Sequence, residues 1–230
     1  MNLHLDWCSY EAAKYACLNW HYSKSIPKSK LVKVGAWENG EFIGCVIFSY
    51  GATPQIGSPY KLTQYEICEL TRVALKEHTA PTSKIVSRAI KMLKNQSPGV
   101  RLIVSFADAE HNHIGVLYQA TNWVYAGTTK PGRVGFVIKG KKTHTRTIGS
   151  MPGGVQSLQW VKKHLDRKAT EWMGITKYRY LMPLDDEMRK QIEPLRQPYP
   201  KRPKQATSPV QGDSGGAAPT RTLQNKQVIT

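Results

Sequence analysis

Several short stretches of the chain gather side chains that can do chemistry. His21-Tyr22-Ser23-Lys24 sets an imidazole, a phenol, a hydroxyl and an ammonium side by side, in a polar stretch that Pro27 helps to end. Loops held by a rigid scaffold commonly carry function, although a plain surface pair of His and Tyr is the blander reading. Glu66, Glu69 and Arg72 lie along an otherwise apolar run. Charges there are costly unless paired, so they form an internal Glu69–Arg72 pair or face a substrate. Asp108 closes the apolar run from Val100 to Ala107, where a carboxylate either serves a ligand beyond the strand's end or caps the next helix. His111-Asn112-His113 offers metal-ligating groups, or simply a solvated polar turn. Tyr118 follows, and a phenol transfers a proton only where the site aligns it with a leaving group.

These groups need elements to hold them. Tyr10 to Asn19 reads as a helix with Ser9 as its cap. Two strands, Lys33 to Trp37 and Glu41 to Tyr50, flank Asn39-Gly40, the strongest short-range hairpin signal. Another apolar strand runs from about Tyr65 to Leu75. Ile85, Val86, Ala89, Ile90 and Leu93 form one stripe of a helix that Ser97-Pro98-Gly99 breaks. Val100 to Ala107 reads as a buried central strand. A short helix (about 113–121) and strands near 123–125 and 135–139 complete a core over residues 1–140. This order predicts an α/β fold with a central mixed sheet, an early hairpin and later crossover units.

Beyond Gly140 the composition changes. Residues 139–179 hold ten basic and two acidic side chains. Leu158, Val161, Leu165, Ala169 and Trp172 fall on one helical face, so residues 141–196 are expected to form a basic helical extension packed on the core. Its other face would show Lys162, Lys163, Arg167 and Lys168 as a solvated surface or a phosphate-tracking one. From residue 197 to 230 periodicity is lost among Pro, Gly, Ser, Gln and Lys, the composition of a disordered tail.

The whole chain carries 33 Lys+Arg against 16 Asp+Glu, a net charge of +17. Such a field favours polyanions, chiefly through counterion release from phosphates, though a generically sticky basic protein would share it. No apolar stretch approaches the roughly 20 residues of a membrane span, and the first ten residues do not read as a signal peptide. Cys8, Cys17, Cys45 and Cys68 form no CxxC pair, which suits reduced thiols in a cytoplasm and argues against a cysteine zinc site. GxGxxG, GxxxxGK[ST] and GxSxG motifs are absent, as is the Asp/Asn-Pro-Pro-aromatic tetrapeptide of amino-methyltransferases.

Four stretches occur together in a characteristic order: His21-Tyr22-Ser23-Lys24, Glu69-Leu70-Thr71-Arg72, Ser105-Phe106-Ala107-Asp108, and Gly115 to Trp123 with Tyr118. Through them, across about residues 15–140, the chain resembles the phage Mom family of DNA-modification proteins. The resemblance implies a GNAT-like acyltransferase fold. It implies conversion of adenine to N6-carbamoylmethyladenine, an acetamido-type adduct, in double-stranded phage DNA, which protects that DNA from host restriction endonucleases. It implies dependence on iron, with His21, Tyr22, Asp108 and Tyr118 clustered at the active site, Tyr118 as the helix tyrosine that donates a proton in GNAT enzymes, and Arg72 as a further catalytic candidate. Because iron enzymes favour His with carboxylate, His21 and Asp108, joined by Tyr22, are the ligands expected. Ser23, Lys24, Lys141, Lys142, Arg146, Lys162 and Lys163 are then the groups expected to contact DNA, in the cytoplasm of the host. The oligomeric state is open, a homodimer included.

One departure concerns the donor. GNAT acetyltransferases hold the CoA pyrophosphate on a [Gln/Arg]-x-x-Gly-x-[Gly/Ala] loop that opens the central helix, where backbone N–H groups face the phosphates. Here that stretch reads Glu77-His78-Thr79-Ala80-Pro81-Thr82-Ser83-Lys84, without glycine. Thr82, Ser83 and Lys84 remain candidates to hold an anion, but the acyl or CoA-type donor is left open. Two other readings stand beside this one: a GNAT N-acetyltransferase acting on a small amine or protein, and a non-catalytic basic DNA-binding protein.

Overall fold

The computed structural model describes residues 2–51, 53–108 and 113–201. Alternating side chains at Leu3 and Leu5 lay down an edge strand, β1 (Leu3–Trp7), antiparallel to β2 (Leu31–Glu38). Between them runs α1 (Tyr10–Trp20), started by Ser9, whose Oγ accepts the Ala12 N–H at 3.0 Å. It buries Ala13, Ala16 and Cys17 against Cys45, Ile47 and Ala74. β2 turns into β3 (Glu41–Ser49) through Asn39 and Gly40, at φ of 52° and 86°. Two successive left-handed residues are what a tight, right-twisted hairpin turn requires.

β3 pairs with β4 (Ile67–Leu75), and β4 crosses over through α2 (Thr82–Gln96) to the parallel strand β5 (Leu102–Asp108). The expected stripe of α2 is buried to the last residue: Ile85, Val86, Ala89, Ile90 and Leu93. A short helix, α3 (Val116–Ala120), leads to β6 (Val124–Thr128). This is the mixed α/β arrangement, with an early hairpin and a later crossover, that the sequence led us to expect.

The end of the sheet differs from expectation. The strand near 135–139 does not join it. β7 (Arg133–Ile138) pairs instead with β8 (Lys141–His144) and β9 (Thr170–Met173) in a second, three-stranded sheet. The central sheet takes its missing strand from β10 (Lys177–Pro183), which inserts antiparallel between β5 and β6 to give the order β1-β2-β3-β4-β5-β10-β6. A boundary at residue 140 would therefore cut the β7–β8 hairpin and remove a central strand.

The expected helical face from Leu158 to Trp172 is also split. α5 spans only Leu158–His164, because the Leu165 and Asp166 amides both turn back to the Val161 carbonyl. Asp166 then accepts the N–H groups of Lys139 and Lys168, and Trp172 pairs with β7 as part of β9. Strand pairing here overrides helical periodicity. Together with α4 (Thr145–Gly149), α5 covers a small core of Phe136, Ile148, Val161 and Ala169 that belongs to this lobe, not to the main sheet. Past α6 (Asp186–Ile192), the tail expected from residue 197 begins with anchored residues: the Gln197 amide donates to Tyr125 O at 2.9 Å, and the Tyr199 hydroxyl to Trp123 O at 2.6 Å. The remainder of that tail, 202–230, lies outside the described residues. Among the described residues no helix is long and apolar enough to cross a membrane.

The separate core makes a test possible. Phe136 is fully buried in it, and truncating such a side chain costs about 3–5 kcal/mol. Phe136→Ala should speed hydrogen exchange of amides in 133–173 while β4 and β5 keep their protection. Equal loss in both regions would mean that the lobe has no core of its own.

Candidate active site

Parallel pairing of β4 and β5 covers three residue pairs, Ile67 with Leu102, Cys68 with Ile103 and Glu69 with Val104. Beyond them the strands part. On its other side β4 slips register against β3 at Thr71, so this residue is an extra one in its strand. Such bulges bend a strand and re-aim its side chains. The cleft opened this way is small and open-mouthed, with a volume of about 90 Å³. His21, Tyr22, Glu69, Arg72, Asp108, His113, Tyr118 and Lys177 line it.

The five candidate catalytic residues thus come from four separate elements to one cleft. Others do not. Lys24 donates from Nζ to the Asn19 carbonyl at 2.8 Å, closing the end of α1. Thr82, Ser83 and Lys84 open α2 and do not line the cleft. Lys141, Lys142, Arg146, Lys162 and Lys163 all sit on the second lobe. Of the His-Asn-His stretch only His113 is described, and it faces the cleft. Among the charged lining residues, Lys177 had no assigned role. Lys177 could not be placed by a reading that assigned its strand to a peripheral extension; β10 sets it directly opposite Asp108.

His21 is 3% exposed. Its Nδ1 lies 3.1 Å from the Ser23 amide and 2.8 Å from Ser23 Oγ. A backbone N–H can only donate, so Nδ1 is the acceptor and the ring proton resides on Nε2. Burial first, then the positive charge of Arg72 and the nearby His113 and Lys24, push the imidazole down to about 3. At neutral pH His21 is therefore an uncharged N–H donor. Arg72 reaches across from β4 to the same loop, donating to Ser25 O at 3.1 Å and to Thr71 O at 2.6 Å. Tyr22 stacks on His21 at 4.4 Å and faces His113 at 5.7 Å, with 47% of its surface open at the cleft mouth. Burial, then the Asp108 carboxylate, raise its phenol above the ordinary range.

Tyr118 is enclosed, packed between Trp123 at 5.0 Å and Tyr180 at 4.9 Å. Its hydroxyl is 2.7 Å from Ser105 Oγ, which in turn is 2.8 Å from the Leu70 carbonyl. The carbonyl can only accept, so the single Ser105 proton goes there and the phenol donates to Ser105. Burial pushes Tyr118 up to about 12, so it stays protonated at neutral pH and can serve as an acid. Ser105 itself is 1% exposed. Its signal in the sequence was a hydroxyl inside an otherwise apolar buried strand. Asp108 does not cap the following helix, since Gly115 holds that position with φ of 79°.

The implied iron can be tested against this geometry. A metal-ligating imidazole presents one bare nitrogen and donates its other N–H to a second partner. In His21 the arrangement is reversed: the bare nitrogen is taken by Ser23 and the cleft receives an N–H. As held, His21 does not offer the cleft the bare nitrogen that the expected iron site needs.

The depressed His21 value has a consequence for stability. Between pH 6.5 and about 3 the unfolded chain binds this proton and the folded chain does not. Stability must therefore fall as pH falls through that window, by up to ~1.4 kcal/mol per pH unit. His21→Asn keeps an acceptor for the Ser23 amide but does not titrate, so denaturation curves of the variant should show a shallower acid dependence. Identical slopes would contradict the assignment.

The sequence model of the Mom protein family matches residues 2–201. The methylcarbamoylase Mom of Escherichia phage Mu is 25% identical over 188 residues, which cover 79% of this chain and 76% of that protein. Among solved structures, an N-acetyltransferase from Staphylococcus aureus aligns with a TM-score of 0.44 at 16% identity, over 80% of this chain and 100% of its own. An aminoglycoside acetyltransferase in complex with coenzyme A and kanamycin aligns with a TM-score of 0.47 at 12% identity, over 84% and 98% of the two chains. With its family model matched from residue 2 to residue 201, the chain belongs to the Mom protein family.

Proposed function

We propose that this protein transfers a carbamoylmethyl group to N6 of adenine in double-stranded DNA, in the host bacterial cytoplasm, so that restriction endonucleases fail to cut the modified phage DNA. Membership in the Mom family makes it a group-transferring enzyme. The observation that carries the proposal is the convergence of His21, Tyr22, Asp108 and Tyr118 on one cleft between parted strands.

Adenine N6 is paired inside the duplex, so the base must leave the stack to reach such a cleft. Asp108, at the rim of the parted strands, is placed to accept hydrogen bonds from the exocyclic amine and to take its proton as the N–C bond forms. Tyr118, kept protonated by burial, supplies a proton to the departing group when its O–H turns from Ser105 toward the cleft. The neutral Nε2–H of His21 contributes a fixed donor without adding charge, and Arg72 holds the loop that carries it.

The second lobe suits the duplex. Lys141 and Lys142 lie on β8, Arg146 on α4, Lys162 and Lys163 on α5, within a segment where basic side chains outnumber acidic ones ten to two. Lys142 Nζ also rests over the Trp172 ring at 5.3 Å. Phosphate contacts of this kind set affinity and orientation rather than sequence.

Nucleosides from the DNA of cells expressing the chain should contain a modified deoxyadenosine by mass spectrometry. Asp108→Asn should reduce it by about 100-fold or more, the usual size of a lost general base. Replacing Lys162 and Lys163 together with alanine should weaken DNA binding and flatten its salt dependence by about one unit of slope per lost phosphate contact. Unmodified deoxyadenosine throughout would overturn the proposal.

A further inference from the structure

The loop between β4 and α2 is the place where an acyltransferase of this fold holds the pyrophosphate of CoA on backbone N–H groups. In this chain those donors already face an anion. Glu38 ends β2 beside the hairpin turn, and its carboxylate reaches over to the loop. One oxygen accepts the Thr79 N–H at 2.9 Å and the other accepts the Ala80 N–H at 2.7 Å. Glu38 is 9% exposed, and the bond from Thr79, followed by that from Ala80 and the neighbouring His78, holds its carboxyl below the ordinary glutamate range. It is thus a fixed negative charge at neutral pH.

The next residue is Pro81, which has no N–H to offer. Beyond it, Thr82 Oγ1 lies 3.3 Å from His78 Nε2, so this hydroxyl also meets a partner within the loop. Two adjacent donors are therefore committed and a third is missing. A phosphate brought to the Thr79 and Ala80 N–H groups would meet a carboxylate already bonded to them, and with it like charge.

We propose that Glu38 is the resident anion of this loop, that the loop is closed to nucleotide pyrophosphate, and that the transferred group comes from a donor lacking a CoA-type pyrophosphate anchor. The statement about the donor rests on the transfer reaction proposed above; the closure of the loop does not. The residues present do not fit CoA in the manner of the fold.

The test is a titration of the full-length protein with CoA and with acetyl-CoA, following backbone amide resonances. In the wild type, the Thr79 and Ala80 signals should stay in place up to millimolar ligand. In Glu38→Ala, which frees both N–H groups, the same two signals should move on addition of inorganic pyrophosphate. Saturable CoA binding to the wild type that shifts Thr79 and Ala80 would overturn the closure, and this arm stands even if the variant does not fold. CoA binding that leaves both signals unmoved would uphold the closed loop and overturn the statement about the donor. The adduct in DNA from cells expressing the wild type is a separate readout, whose absence would overturn the transfer reaction and leave the loop result intact.

Discussion

The site exists because β4 and β5 stay together for only three residue pairs. Had the ladder continued past Glu69 and Val104, the backbone groups of the next residues would have paired with each other and no cleft would have formed. Parting exposes those groups, and each exposed buried group must find another partner. Ser105 answers part of that demand by donating to the Leu70 carbonyl across the gap. The same hydroxyl then receives Tyr118, so one small side chain both bridges the parted strands and sets the direction of the phenol. The Thr71 bulge on the opposite edge bends β4 away, secured by its Oγ1 donating to Ile47 O at 3.1 Å.

Charge in the cleft is distributed with similar economy. Arg72 brings a cation close to His21, and burial adds to its effect, so the imidazole remains neutral. Tyr118 remains protonated for the opposite reason, since burial penalises a phenolate. A neutral donor and a buried acid beside the Asp108 carboxylate form a set suited to moving protons at an amine. It is a poorer set for gripping a cation, because the nitrogen that a metal would need is committed to the Ser23 amide.

Much of this was readable in the sequence where local rules dominate. The Asn39-Gly40 hairpin, the Ser9 cap and the α2 stripe follow from turn chemistry and helical period alone. Glu69, Arg72 and Asp108 stood out as charges on apolar runs, whereas His21, Tyr22 and Tyr118 were joined to them by the family resemblance. What escaped was non-local. β10 was read as part of a helical extension, since only its pairing with β5 and β6 makes it a central strand, and with it went Lys177. The helical spacing of Leu158 to Trp172 was real but was overruled by pairing of β9 with β7 and by Asp166 capturing two amides. Glu38 carried no signal at all, since only the packing of α2 on β2 brings it to Thr79 and Ala80.

The most direct test of the site is the state of the His21 ring, because its neutrality and tautomer decide what the cleft can do. Nitrogen-15 spectra of the side chain would report both. The account predicts a bare Nδ1 and a protonated Nε2, unchanged from neutral pH down to well below 6. A proton on Nδ1, or a ring that charges at an ordinary histidine pH, would contradict it.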